Sequence, residues 1–343
     1  MKRHLNTLFV TTQGAYLSKE GETVSVSVDR EKKLQIPVHT LDGIVCFGRV
    51  MCSPYLMGFC AEKDVAVSFL SENGRFLARV QGPVSGNVLL RREQYRQADY
   101  PESCSEIAYA IITAKLLNSR SVLRRTVRDH SDRIESQSVS RAANHLAALV
   151  KEVSSKAALD SLRGVEGEAA RTYFGVFDHL IINQKKDFVF KGRNRRPPLD
   201  RVNCLLSFIY TLLLHDVRSA LESVGLDSAV GFLHRDRPGR PGLALDMMEE
   251  FRSVIADRLT LSLVNQGSVR RNGFKESQTG AVLMDDDTRK KVLVAYQKRK
   301  QTEVRHPFLE EKVTIGLLFH TQALLLSRYL RGDLDGYPAF VWR

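Results

Sequence analysis

Near residue 85 the hydrophobic period of this chain changes, and that change limits it to two successive kinds of structure. Before it, LFVTT, GAYLSKEG, TVSVSVD, KLQIPV, GIVCFG, VAVSFLS and GRFLARV are short segments rich in β-branched and aromatic residues. Glycine, Asp-Arg and Asn-Gly punctuation separates them, so residues 5–82 read as strands with tight turns, and Asn73-Gly74 predicts a hairpin. One stretch breaks the rhythm. In SPYLMGFCAEKD, residues 53–64, Tyr55, Leu56, Phe59 and Cys60 fall at helical spacing, with Ser53 as N-cap and Pro54 in the first turn. GPVSGN, 82–87, reads as a linker, and beyond it apolar residues recur every three or four positions. The expected fold class is α+β: a β-rich, sandwich-like domain over residues 1–85, then a mainly α-helical domain over residues 90–343.

Charge is divided as unevenly as pattern. The formal net charge is +12, of which residues 1–90 carry +2 and residues 91–343 carry +10. The second part is therefore suited to a polyanion. The cysteines, Cys46, Cys52, Cys60, Cys104 and Cys204, are odd in number and form no CxxC pair. This argues against a disulfide scaffold or a thiolate zinc site and for reduced thiols in a cytoplasmic protein. Lys2 and Arg3 precede only a short apolar LFV, and spanning a bilayer takes roughly 20 apolar residues, so neither a signal peptide nor a membrane partner is expected.

Chemistry concentrates in GFLHRDRPGRPGLALDMMEEFR, residues 231–252. Pro238-Gly239 and Pro241-Gly242 interrupt any helix, which places His234 in a fixed loop and starts a helix after Gly242. Leu245, Met248, Phe251, Ile255 and Leu259 then form one apolar stripe, with Asp246, Glu249 and Glu250 beside it. Acidic residues there are ordinary at the positive end of a helix. The loop also brings an imidazole and the guanidinium groups of Arg235, Arg237, Arg240 and Arg252 to the same neighbourhood, which suits a metal ion beside a phosphate. A second stretch, GVEGEAARTYF at 164–174, has glycines on both sides of Glu166, each costing about 1 kcal/mol in a helix interior. Either a tight helix crossing or a close ligand would account for them. Glu168 points away from Glu166 around the helix.

These two stretches, in this order and at this separation, resemble the CRISPR-associated integrase family, the catalytic half of the spacer-acquisition machinery. The resemblance extends over almost the whole chain and includes RPPLDRVNCLLSFIY, 196–210, which bears Asn203. It implies a metal-binding and catalytic set of Glu166, His234 and Glu249, with Asp246 as a supporting residue or alternative ligand and Asn203 ordering the site. Two carboxylates and a neutral imidazole leave positions for water and phosphate on Mg²⁺ or Mn²⁺. The implied activity is endonuclease cleavage and transesterification that joins protospacer 3′-hydroxyl ends to repeat DNA. The implied partners are double-stranded protospacer DNA, CRISPR repeat DNA, a second copy of the chain and the small partner protein of the adaptation complex. Dimerisation is expected through residues 1–85.

Basic residues supply candidate phosphate contacts. KKDFVFKGRNRRPPLDR, 185–201, has seven basic and two acidic residues and places Arg193, Arg195 and Arg196 on an expected exposed turn. Arg235, Arg240 and Lys275 are further candidates, and Lys290, Lys291, Lys298, Arg299 and Lys300 make a second basic surface. Asp285, Asp286 and Asp287 match a helix start, GFKESQTGAVLM at 273–284 reads as a hairpin or irregular insertion, and a last helix is expected over 309–331. Two other functions fit parts of the pattern. A non-catalytic DNA-binding scaffold explains the charge but not the carboxylates and histidine. An iron oxygenase using His234, Asp236 and His306 or His320 would be expected on a β-barrel.

Overall fold

The computed structural model describes residues 6–82 and 88–342. Strands β1 (Asn6–Val10), β2 (Tyr16–Glu20), β3 (Thr23–Val28), β4 (Glu31–Pro37), β5 (Leu41–Phe47), β6 (Met51–Cys52), β7 (Ala66–Leu70) and β8 (Phe76–Arg79) make two four-stranded sheets, ordered β1-β5-β7-β8 and β4-β3-β2-β6. Val10, Ile44 and Val67 of the first sheet share a buried core with Leu17, Val24 and Val26 of the second. The arrangement is sandwich-like, as the alternation predicts, but the sheets are mixed. β1, β5 and β7 run parallel, as do β2 and β6, whereas tight turns alone would give antiparallel neighbours. Helix α1 (Pro54–Glu62) lies on the crossover from β5 to β7. Ser53 caps it by accepting the Leu56 N–H at 3.2 Å, an interaction worth about 1 kcal/mol. Leu56, Phe59 and Cys60 are its core face. β7 and β8 form the hairpin expected at Asn73-Gly74. Apart from Gly82, the linker stretch 82–87 lies outside the described residues, as do Lys2 and Arg3.

The second part contains α2 (Val88–Ala98), α3 (Pro101–His130), α4 (Ser136–Glu152), α5 (Leu159–Gly175), α6 (Arg201–Ser223), α7 (Gly242–Met248), α8 (Arg258–Asn265), α9 (Asp286–Lys300) and α10 (Ile315–Leu330). It also has two short hairpins, β9 (Phe274–Glu276) with β10 (Val282–Met284) and β11 (Glu303–Arg305) with β12 (Lys312–Thr314). α6 is long and apolar enough to cross a membrane by length and composition. Here its Leu205, Leu206, Ile209, Leu213 and Val217 are fully buried, and α7, α8, α10 and β10 pack against the helix.

Phe47 meets Phe208 of α6 at a centroid distance of 5.8 Å, and Val45 and Leu70 join the helical core. Polar groups fasten the same joint. Lys300 Nζ donates to Thr7 Oγ1 at 3.1 Å and pairs with Asp216 at 3.0 Å, and His215 Nδ1 lies 3.0 Å from Ser68 Oγ.

Two expectations need correcting. Lys300 is buried at this joint and Arg299 is partly buried against Trp342, so the second basic surface is smaller than composition suggests. The last helix begins at Ile315, because residues 303–305 and 312–314 pair and buried His306 bonds Gln322 at 2.8 Å. With His306 held by Gln322 and His320 by Ser223, the structure lends nothing to the oxygenase arrangement. The aspartates are a helix start as expected, with Asp285 accepting the Thr288 N–H at 2.8 Å. All five cysteines are free.

Candidate active site

The Pro-Gly loop is shaped around Asp246. Its carboxylate is fully buried and accepts four hydrogen bonds. The Phe232 and Leu233 N–H groups reach Oδ2 at 2.6 and 2.9 Å, and the His234 N–H and Nδ1 reach Oδ1 at 2.9 and 2.6 Å. With Nδ1 committed to a carboxylate, Nε2 is the ring nitrogen left to bind a cation. The lone pairs of Asp246 are spent within the loop. Two glycines permit this approach: a Cβ at Gly231 would stand 2.5 Å from Asp246 Oδ2, and one at Gly242 would stand 2.5 Å from the Ala229 carbonyl. Arg163 Nε donates to the Leu233 carbonyl at 2.7 Å and holds the loop from α5.

Glu166 and Glu249 meet through a lysine that no motif marks. Lys115 of α3 forms an ion pair with Glu166 and lies 2.8 Å from Glu249 Oε2, while Arg252 lies 2.7 Å from Glu249 Oε1. Burial alone would raise the pKa of Glu249. Arg252, then Lys115 and His234, more than offset this and hold the carboxyl well below its ordinary range. Lys115, which burial would push down, is raised by Glu249 and Glu166. Glu249 is almost fully buried, so both of its oxygens depend on these two cations.

Among the described residues no three His, Cys, Asp or Glu side chains stand ready around one point. The cation between the two carboxylates is instead the Lys115 ammonium. The donor set of Glu166, Glu249 and His234 Nε2, in which both carboxylates already turn to one cation, fits a divalent ion.

The helix expected to run unbroken from Gly242 does not. It leaves the α-helical path after Met248, turns through Glu249–Phe251, and becomes a π-helix over Arg252–Asp257 before α8. Local π geometry is frequent at functional sites. Asp246, Glu249 and Glu250 are all buried, not ranged beside an apolar stripe. The glycines around Glu166 sit inside a regular α5, and a Cβ at Gly164 would meet nothing within 4 Å. Protein packing therefore does not demand glycine at 164. Glu168 faces elsewhere, 2.8 Å from His145.

Glu249 and Lys115 line a cavity of about 490 Å³ that also exposes Arg193, Arg195, Arg196 and Arg252. Arg195 and Arg196 are solvent-facing, as expected. Arg193 is not on an exposed turn. It donates to Asn203 Oδ1 at 2.7 Å and Ser207 Oγ at 3.2 Å, and its guanidinium lies over the Tyr210 ring at 5.2 Å. Buried Asn203 also accepts the Asn194 N–H at 3.1 Å and donates to the Gly192 carbonyl at 2.8 Å, so it orders the loop that carries these arginines.

Arg252 lies over the Tyr210 ring at 5.3 Å, and the Tyr210 hydroxyl donates to Asp257 at 2.6 Å. No motif marks Tyr210 or Asp257. Arg240 is partly buried, and burial followed by repulsion from Arg237 lowers its pKa. Arg235 is exposed and engaged with Asp160 at 3.0 Å. Lys275 is exposed on β9, and neither it nor Arg235 lines the cavity.

A mixed-sheet module joined to a helical body, with buried acidic and basic groups under an arginine rim, makes a site suited to phosphate. The chain belongs to the Cas1 family of CRISPR-associated proteins. The family model described as CRISPR associated protein Cas1 matches residues 8–298. A relative from Chlorobaculum tepidum, "CRISPR-associated endonuclease Cas1 1", is 58% identical over 343 residues, covering 100% of both chains. The structure titled "Casposase bound to integration product" matches with a TM-score of 0.83 and 22% identity over 97% of this chain and 93% of that one. A chain of a "Cas6-RT-Cas1--Cas2 complex" matches with a TM-score of 0.81 and 21% identity, covering 97% of this chain and 36% of that one. The two structural matches are likenesses of fold.

Proposed function

We propose that this chain joins the 3′-hydroxyl ends of protospacer DNA to the repeat of a CRISPR array by strand transfer, with endonuclease cleavage as the hydrolytic form of the same chemistry. Family membership supports the reaction class, and one observation supports the residues: Glu166 and Glu249 converge on a single cation, the Lys115 ammonium. A bound Mg²⁺ or Mn²⁺ would polarise the scissile phosphodiester and lower the pKa of the attacking hydroxyl. Glu166, Glu249 and His234 Nε2 would hold it. Asp246 fixes the imidazole tautomer and orientation. Arg252 keeps Glu249 ionised, and Arg195 and Arg196 provide phosphate contacts that position DNA without reading bases. The test is metal-dependent joining by variants of Glu166, His234 and Glu249.

Two assembly contacts belong to the same proposal. The likeness to a chain solved in a complex whose title includes Cas2 supports a small partner protein. Dimerisation through the β-rich part is supported by Tyr16, Met51 and Tyr55, large apolar side chains left exposed there, the first two opposite one another on β2 and β6. Sedimentation of full-length Met51→Glu/Tyr55→Glu checks it: a monomer is expected, and an unchanged dimer places the contact elsewhere.

A further inference from the structure

Glu249 and Glu250 are adjacent, both are buried, and their side chains have entirely different partners. Glu250 Oε1 accepts from the Tyr337 hydroxyl at 2.6 Å, and Oε2 accepts from Gln322 Nε2 and the Phe340 N–H at 3.0 and 2.7 Å. Tyr337 and Phe340 belong to the final segment of the chain, which docks here. Asn118 lies on α3 three residues after Lys115. Its Nδ2 donates to the carbonyls of Glu250 and Phe340 at 2.8 Å each, and its Oδ1 accepts the Trp342 N–H at 2.7 Å. The guanidinium groups of Arg258 and Arg299 lie over the Trp342 indole, at 5.1 and 5.4 Å.

The tail therefore bridges the two elements that carry Lys115 and Glu249, at the point where the backbone leaves α7 and has no regular helix to hold it. The Phe340 N–H and Gln322 Nε2 beside one buried carboxylate oxygen are specific, because only an acceptor satisfies them.

We infer that the C-terminal segment Tyr337–Trp342 is a positioning element of the strand-transfer site, acting through Glu250 and Asn118 to fix Glu249 and Lys115. This rests on the proposed role of Glu249. Glu250 and Asn118 touch neither DNA nor reacting atoms in this account; they set the geometry of a residue that does.

Glu250→Gln is the direct test: with its oxygen kept toward the Phe340 N–H and Gln322 Nε2, the amide nitrogen faces Tyr337 and removes the acceptor of its hydroxyl proton. Trp342 is the chain's only tryptophan, so its emission reports tail docking without a label. In the full-length variant the emission should shift to the red. Mn²⁺ affinity, read by electron paramagnetic resonance without DNA, and the joining rate at saturating DNA should each fall about tenfold or more, as for residues that orient a metal ligand. DNA affinity should stay within about twofold, because the basic rim is untouched.

A released Trp342 with unchanged Mn²⁺ affinity and joining rate would overturn the inference, and so would an emission that does not move. If Glu250→Gln does not fold, Tyr337→Phe removes one donor and is judged by the same readouts. Glu249→Gln run in parallel separates the two levels: if it retains Mn²⁺ binding and joining, the proposed centre fails, whatever the tail does.

Discussion

Asp246 Oδ1 lies 2.6 Å from His234 Nδ1, and the same carboxylate accepts three successive backbone N–H groups, from Phe232, Leu233 and His234. One buried side chain therefore sets both the loop and the tautomer of its histidine. Asp246→Asn turns an amide donor toward these donors and should cost about 1–3 kcal/mol of stability. Metal affinity should fall roughly 10–100-fold, as for other residues that orient a metal-binding histidine. Chemical denaturation with a Mn²⁺ titration measures both. Loss of metal binding as complete as in His234→Ala, in a variant of unchanged stability, would make Asp246 a ligand instead.

Lys115 stands between Glu166 and Glu249 as a built-in cation. Lys115→Met should leave the carboxylates facing each other and destabilise the metal-free protein by about 2–3 kcal/mol. This lies below the range for a fully buried pair, since Glu166 is part-exposed. Mn²⁺ should then raise the melting temperature of the variant more than that of the parent, because binding to the folded state alone is stabilising. Equal shifts in the two proteins would show that lysine and metal do not share a place.

The arginines of the 193–196 loop divide into two kinds. Arg195→Ala and Arg196→Ala should weaken duplex binding across unrelated sequences, each lowering the slope of log affinity against log salt by about 0.9. Arg193→Ala should instead loosen the loop that Asn203 holds, lowering thermal stability. Binding over a salt series together with melting curves distinguishes them, and identical behaviour of the three would erase the division.

His215 is buried at the joint between the β-rich and helical parts. Burial, reinforced by Lys300 and Arg218 against the opposing pull of Asp216 and Glu222, lowers its pKa from the ordinary value. Protonation therefore favours the unfolded chain, whose histidine titrates near about 6.5. The stability contributed by neutral His215 is full above that pH and is lost as pH falls toward the lowered folded value. Melting temperatures at pH 7.5 and 5.5 should differ, and by less in His215→Gln. The buried His306, also lowered, leaves the variant some dependence. An equal drop in both proteins would contradict the assignment.

Strand and helix patterning made the two-part fold legible, down to the Ser53 cap and the Asn73-Gly74 hairpin, because each depends on neighbours in sequence. The parallel pairing of β1, β5 and β7 was not legible, since alternation says which face is buried but not which strand lies alongside. In the site, family motifs pointed to Glu166, His234 and Glu249. Lys115 stayed hidden within an ordinary amphipathic helix, and its meaning comes from two carboxylates brought to it by distant segments. Arg193 was misplaced for the converse reason: a basic run reads as solvated until Asn203 and Tyr210 are seen to enclose it. The break after Met248 is likewise tertiary, because the side chains there fit an uninterrupted helix by period alone.

The central claim is that Glu166, His234 and Glu249 form one metal-dependent strand-transfer centre. Joining of a DNA 3′-hydroxyl end to a labelled repeat duplex, in Mg²⁺ or Mn²⁺, tests it most directly when Glu166→Gln, His234→Ala and Glu249→Gln are compared with the parent. Circular dichroism and DNA binding on the same samples confirm that each variant is folded and still binds. Joining should fall at least about a hundredfold in each, some 2.7 kcal/mol of transition-state stabilisation, while folding and most DNA affinity remain. Near-parental joining by folded Glu166→Gln or Glu249→Gln would contradict the claim.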